Sequence, residues 1–205
     1  MTPCTKWSGI LATLNRANID TDQILPKQFL TAVRRDGFGP ALFHDWSQQP
    51  DGSRNPDFEL NRPKCAGAIF LAVGRNFGCG SSREHAVWAL QQHGFRAILS
   101  SSFAEIFKAN CIENGLWPLE LPEDRIQEII SAAGGDTPFS LTIDLPAQTI
   151  EAAGTTYAFS ISPAAKQRLL LGQNAIERTL TRLAEMEAFE KTHNLQMYLS
   201  ERVSP

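Results

Sequence analysis

Hydrophobic and polar positions change their period along this chain. The run Ala66-Gly67-Ala68-Ile69-Phe70-Leu71-Ala72-Val73 is apolar without interruption, and its length predicts a strand buried on both faces. Gly74-Arg75-Asn76-Phe77-Gly78-Cys79-Gly80 follows and reads as a turn. A helix is predicted over 82–93, with Ala86, Ala89, Leu90 and His93 on one side and Gly94 as its stop. Phe95 to Leu99 predicts a second strand. Ser102 then opens a helix with Phe103, Ile106, Phe107 and Asn110 on one face, ended by Gly115. Strand, glycine turn, helix, strand, helix is the βαβ order of a parallel sheet.

Beyond Pro122 a further helix carries Ile126, Ile129, Ile130 and Ala133 and closes at Gly134-Gly135. The period then falls to two. Phe139, Leu141, Ile143 and Leu145 alternate with polar residues, as do Tyr157, Phe159 and Ile161. This predicts antiparallel strands with one solvated face, joined by turns near Pro146 and Gly154. Ser162-Pro163 has the residue types of a helix start. Gly172 interrupts that helix, and Asn174 is placed to cap a last one with Ile176, Leu180 and Leu183 inward. The expected architecture is α/β, one domain over 1–205, with mixed parallel and antiparallel strands and C-terminal helices over about 163–200.

The stretch 26–64 has no sustained period and is rich in Gly and Pro. A connection this long is usually functional or mobile. It carries Phe29, Leu30, Phe38, Leu42, Phe43 and Trp46. These residues either form a lid or partner contact or tuck back onto the domain, and the pattern leaves both open.

Composition narrows the function classes. The chain has 205 residues, 42% hydrophobic and 20% charged, with net charge -3, which suits one sizeable globular core. No basic stripe points to nucleic acid. The first residues lack the pattern of a signal peptide, and no apolar stretch approaches the ~20 residues that span a bilayer. A soluble, cytoplasmic protein is expected. Cys4, Cys65, Cys79 and Cys111 are far apart in sequence. They do not form the close thiolate set of an iron–sulfur or zinc site, so free thiols are expected and any metal belongs in another chain.

The chemistry concentrates in Asn76-Phe77-Gly78-Cys79-Gly80-Ser81-Ser82-Arg83-Glu84-His85. Glycines there allow close approach of backbone to a ligand. A helix start favours an anion, and Arg83 offers a planar fork for a carboxylate. Ser81-Ser82-Arg83-Glu84 is also a capping box, with Ser81 as N-cap, and Ser102-Phe103-Ala104-Glu105 is a second. Two glycines, two serines and an arginine together exceed what a cap requires and favour a site for an acidic ligand. G-x-S-x-G and G-x-x-x-x-G-K-[ST] are both absent, which removes a nucleophile elbow and a P-loop. Cys79 is expected to be structural rather than an activated thiol. His85 and His93 are expected to be hydrogen-bonded helix histidines.

Two blocks, Thr21-Asp22-Gln23-Ile24-Leu25-Pro26-Lys27-Gln28-Phe29-Leu30 and Gly78-Cys79-Gly80-Ser81-Ser82-Arg83-Glu84-His85, together resemble the small subunits of 3-isopropylmalate dehydratases in the aconitase superfamily. Gly94-Phe95-Arg96-Ala97-Ile98 and Leu116-Trp117-Pro118-Leu119 extend the likeness over most of the first two-thirds. The resemblance implies a swivelling β/β/α domain, equivalent to the mobile fourth domain of aconitase. It implies interconversion of 2-isopropylmalate and 3-isopropylmalate through the dehydrated alkene, in leucine biosynthesis. A large partner subunit is implied to hold the [4Fe–4S] cluster. Ser81 then matches the catalytic base and Asp22 an active-site aspartate. Gly80, Ser82, Arg83 and Lys27 match the polar substrate contacts. The loop carrying Phe29 and Leu30 is the region that sets side-chain specificity, and Arg34 and Arg35 in it take no assigned role. Aconitases carry a glutamate where this chain has Cys79. A sister hydro-lyase subunit for homoaconitate or methylmalate, and a non-catalytic anion-binding module, stay as alternatives.

Overall fold

The computed structural model describes residues 4–30, 36–81, 83–172 and 179–192. Ser82, Arg34, Arg35, Asn174, Ile176 and the stretch 193–200 of the expected tail lie outside them. Contacts divide the chain into two units, Met1–Gly172 and Gln173–Pro205.

The first unit runs β1 (Lys6–Leu14), α1 (Thr21–Ile24), α2 (His44–Ser47), β2 (Phe70–Val73), α3 (Glu84–His93), β3 (Ala97–Ser100), α4 (Glu105–Asn114), β4 (Trp117–Glu120), α5 (Glu123–Ala132), β5 (Phe139–Asp144), β6 (Thr149–Ala152), β7 (Thr155–Ala158) and α6 (Pro163–Leu171), with short 3-10 turns between α1 and β2. The strands form one seven-stranded sheet in the order β4-β3-β2-β1-β5-β6-β7. β1 to β4 pair in parallel. β5 pairs antiparallel with β1, and β6 and β7 continue as antiparallel ribbons. The mixed α/β sheet is the expected class.

Every residue of β2 and β3 is buried, because the alternating side chains meet a core on each face. Leu71, Val73 and Ile98 face one core with Ala86, Leu90, Phe107 and Cys111 of the helices. Phe70, Ala72 and Leu99 face the other, with Ile126 and Ile129 of α5 and the inward residues of β5 and β6. Each of the Val, Leu, Ile and Phe side chains among them contributes about 1.5–3 kcal/mol by leaving water.

The apolar pattern announces neither β1 nor β4, and marks β6 only by its bounding turns near Pro146 and Gly154. β1 lies at the centre of the sheet and joins its parallel and antiparallel halves, yet Gly9 and the run Ile10-Leu11-Ala12 blur any alternation. β4 contains Pro118, which reads as a breaker. It is the edge strand, where a missing N–H breaks no ladder bond on the open side.

Several element starts differ from expectation. The strand expected over 66–73 begins at Phe70, because a 3-10 turn at Pro63–Cys65 and Gly67 at φ 72 occupy the chain before it. Neither anticipated capping box forms. α3 begins at Glu84 with Arg83 as an N-cap whose side chain makes no capping bond, and α4 begins at Glu105 with Ala104 as cap. Ser102 is diverted: its hydroxyl accepts the Asn76 N–H at 2.9 Å. The box that does form is Asp20–Gln23. The Asp20 carboxylate accepts the Gln23 N–H, and the Gln23 side chain accepts the Asp20 N–H. Ser162 caps α6 with Pro163 behind it, as expected.

The 26–64 stretch folds back as far as its core residues go. Phe38, Leu42, Phe43, Phe58 and Leu60 are buried in the same core as Ala86 and Leu90 of α3, and Phe43 stacks on Trp46 at 5.7 Å. In the second unit α7 spans Leu183–Thr192; of the anticipated inner face Leu180 and Leu183 are exposed, and Ile176 lies outside the described residues. No helix among the described residues is long and apolar enough to cross a membrane.

Candidate active site

The loops that leave the carboxyl ends of β1, β2 and β3 meet, the usual place for ligands in an α/β sheet. They are stitched by backbone bonds. Gly78 N–H donates to Ile19 C=O at 2.8 Å, Thr21 N–H to Cys79 C=O at 2.9 Å and Asn18 N–H to Arg75 C=O at 2.9 Å. Phe77 N–H reaches Ser102 C=O at 3.1 Å, and Ala104 N–H reaches Phe77 C=O at 3.0 Å. Asn76 Nδ2 adds a bond to Asn18 Oδ1 at 2.9 Å.

The bend needs its glycines. Gly78 has φ 75 and Gly80 has φ 89, a region that side chains with a Cβ rarely enter. A Cβ on Gly78 would also overlap the Phe107 ring, and one on Gly80 would come within 3.3 Å of Asp20. The result is a sharp turn that lifts Ser81 onto the surface, with Arg83 half-buried behind it.

Arg83 Nη1 donates to Asp22 Oδ1, and Lys27 Nζ lies 3.5 Å from Asp22 Oδ2. Asp22 thus sits between two cations, and the Glu105 carboxylate of α4 lies at the same rim. A pocket of about 220 Å³ opens beside it, lined by Thr21, Gly78, Gly80, Ser81, Arg83 and the first turn of α4. The size suits a small organic acid.

Of the residues proposed from the sequence, Ser81, Gly80 and Arg83 line this pocket, and Asp22 and Lys27 join through the ion pairs. Phe29 and Leu30 do not line it: the Phe29 ring lies against His44 at 4.9 Å, and both residues pack on the core. Six lining residues are not among those proposed: Thr21, Gly78, Ala104, Glu105, Ile106 and Phe107. Beside Asp22, Thr21 gives no signal of its own in the sequence. Ile106 was expected on the inner face of α4 but is 57% exposed beside Ser81 and Arg83. Its spacing from Phe103 and Phe107 is that of a buried face, and only the direction of α4 shows otherwise.

Cys79 is not an activated thiol. Burial, then the nearby charge of Asp20, pushes its pKa up, and Sγ donates to Asn18 C=O at 3.4 Å. Burial likewise raises Cys65 and Cys111. All four cysteines are free thiols. Among the described residues no three His, Cys, Asp or Glu groups converge on a common point. His85 sits between Phe38 and Trp88, and His93 ends α3 near Phe95, so neither faces the pocket.

This fold and this bend define the class, an aconitase C-terminal domain, whose family model matches residues 1–124. The 3-isopropylmalate dehydratase small subunit of Bacillus licheniformis is 48% identical over 192 residues, 93% of this chain and 96% of the relative. That of Rhodopirellula baltica is 47% identical over 189 residues, 91% of this chain and 96% of the relative. That of Neisseria meningitidis serogroup B is 44% identical, covering 91% of this chain and 92% of the relative. A crystal structure of 3-isopropylmalate dehydratase from Methanocaldococcus jannaschii superposes with TM-score 0.67 at 22% identity, over 90% of this chain and 99% of that one. The chain belongs to the family of 3-isopropylmalate dehydratase small subunits.

Proposed function

We propose that this chain is the base-bearing half of a hydro-lyase that interconverts 2-isopropylmalate and 3-isopropylmalate by dehydration and rehydration in leucine biosynthesis. It acts in a complex with a large subunit. The observation that carries the reading is the meeting of Ser81 with Arg83, and through Arg83 with Asp22 and Lys27, at one small pocket on the carboxyl end of the sheet. The free thiols support a reducing, cytoplasmic setting.

The thiols do not fit an iron–sulfur cluster. Cys65 and Cys111 are buried in the core, and Cys79 donates to a carbonyl. The reading therefore assigns the [4Fe–4S] group to the large subunit. What this chain's residues do follows from their own chemistry. The proton to be removed lies alpha to a carboxylate and is weakly acidic, and a neutral serine is a poor base for it. Ser81 must act as an alkoxide. The guanidinium of Arg83 at the same pocket offsets part of the cost of that charge. Asp22 holds Arg83 in place and pairs with Lys27. Gly80, Ser82, Arg83 and Lys27 are the polar groups assigned to the substrate's carboxylates. Phe29 and Leu30 have the apolar chemistry for an isopropyl group. Ala104, Ile106 and Phe107 supply further apolar surface in the pocket itself.

The test is anaerobic reconstitution with an iron–sulfur large subunit and an isomerisation assay. Ser81→Ala should lose turnover by about 10³-fold or more, the scale expected when a residue acting in the transition state is removed, yet bind its partner normally. Near-normal turnover removes Ser81 from the role. Apolar contacts discriminate by only about 1–3 kcal/mol. A substrate panel including homoaconitate- and methylmalate-type acids therefore separates this enzyme from its sister hydro-lyases.

A further inference from the structure

Ser81 is exposed and stands at the end of a strained bend, so its own side chain has no packing to fix it. Something else must set its direction. Among the described residues Thr21 and Ser100 are the two buried polar residues. Both sit under the loops of the site and both spend their hydroxyls on loop carbonyls. Ser100 Oγ bonds to Gly74 C=O at 2.8 Å and Ser102 C=O at 2.9 Å. Thr21 Oγ1 donates to the carbonyl of Ser81 itself at 2.9 Å, while Thr21 N–H donates to Cys79 C=O at 2.9 Å.

Thr21 thus grips the carbonyls on both sides of Gly80, the residue at φ 89 that makes the bend. It is 1% exposed, so water does not compete for either bond. It also belongs to the capped first turn of α1, where Asp20 and Gln23 lock each other. The same short turn carries Asp22 and hence Arg83. One rigid element therefore sets both the serine and its cationic partner.

We infer that Thr21 is a positioning residue for Ser81, acting through the hydroxyl-to-carbonyl bond that aims the serine into the pocket; this rests on Ser81 as the base. Valine matches threonine in shape but cannot donate, so Thr21→Val removes that bond and little else. A misdirected reactive group typically costs about 10- to 100-fold in rate when its displacement approaches an ångström. A group that only stabilises the fold leaves kcat of the folded enzyme alone.

The experiment compares Thr21→Val, Thr21→Ser and Ser81→Ala in the complex reconstituted with the large subunit, reading kcat, KM, partner affinity and thermal midpoint. Thr21→Val is expected to lose about 10- to 100-fold in kcat, with KM within about twofold and partner affinity unchanged. Thr21→Ser is expected to recover most of the loss, because the hydroxyl returns. A wild-type kcat in Thr21→Val beside an inactive Ser81→Ala overturns the positioning role while leaving the base in place. Turnover retained by Ser81→Ala overturns the base, and the inference with it. Should Thr21→Val not fold, Thr21→Ala replaces it, and equal kcat in the Ala and Ser variants overturns the inference.

Discussion

The two halves of the sheet do different work. β1 to β4 run parallel, are buried on both faces through β2 and β3, and end in loops that bond to one another across the sheet. β5 to β7 run antiparallel, join through tight turns and keep Ser140, Thr155 and Thr156 exposed. Parallel strands must be joined by long crossovers, so their carboxyl ends gather several loops at one place. Hairpins need two residues and gather nothing. Chemistry needs several groups from distant sequence at fixed positions, and only the first arrangement supplies it. The antiparallel half instead completes the second core with Leu141, Ile143 and Ile150.

That contrast can be broken by paired substitutions. The widest gap is expected between two exposed serines. Ser81→Ala should abolish turnover in the reconstituted complex, whereas Ser140→Ala on β5 should leave it at wild-type level. Equal effects in an isomerisation assay would mean that the halves do not divide as described.

A second pair compares two glycines in the left-handed region. Gly78, at φ 75, has the Phe107 ring where a Cβ would go, while Gly154, at φ 79, has nothing within 4 Å. Gly78→Ala should cost about 3 kcal/mol or more, from strain and overpacking together, and reduce activity. Gly154→Ala should cost about 1–2 kcal/mol, the backbone penalty alone, and spare activity. Denaturant titration measures both, and similar losses would show that the interlocked loops are no tighter than a hairpin.

The smallest effect lies in that same hairpin. Ala153 stands at φ 49 before Gly154, the geometry for which Asn-Gly is preferred. Ala153→Asn should raise stability by about 0.5–1 kcal/mol with turnover unchanged. A loss of turnover would tie this distant turn to the site and undo the division.

Much of the molecule was legible before the coordinates. The parallel order of β2, α3, β3 and α4 followed from a buried run, a glycine turn and a helical period, because burial on two faces and burial on one leave different patterns. β5 followed from alternation for the same reason. The serine-bearing bend stood out through residue types whose conformational and chemical demands are local. β1 was hidden because a central strand joining parallel and antiparallel neighbours has no single solvated face to set a rhythm. The lid-or-core question for 26–64 was open because apolar content does not say which surface an irregular segment meets. The structure sends Phe43 and Phe58 into the core.

By itself, then, the sequence determined which residues could form strands and helices, where the backbone had to turn through glycine, and which side chains carry charge and hydroxyls. These are properties of a residue and its near neighbours. Tertiary structure alone decided that the Asp20 box forms and the serine boxes do not, that Asp22 meets Arg83, that Thr21 reaches the carbonyl of Ser81, and that Ile106 faces solvent. Each depends on how loops from separate strands pack against one another, and no local pattern encodes the distance between residues 60 positions apart.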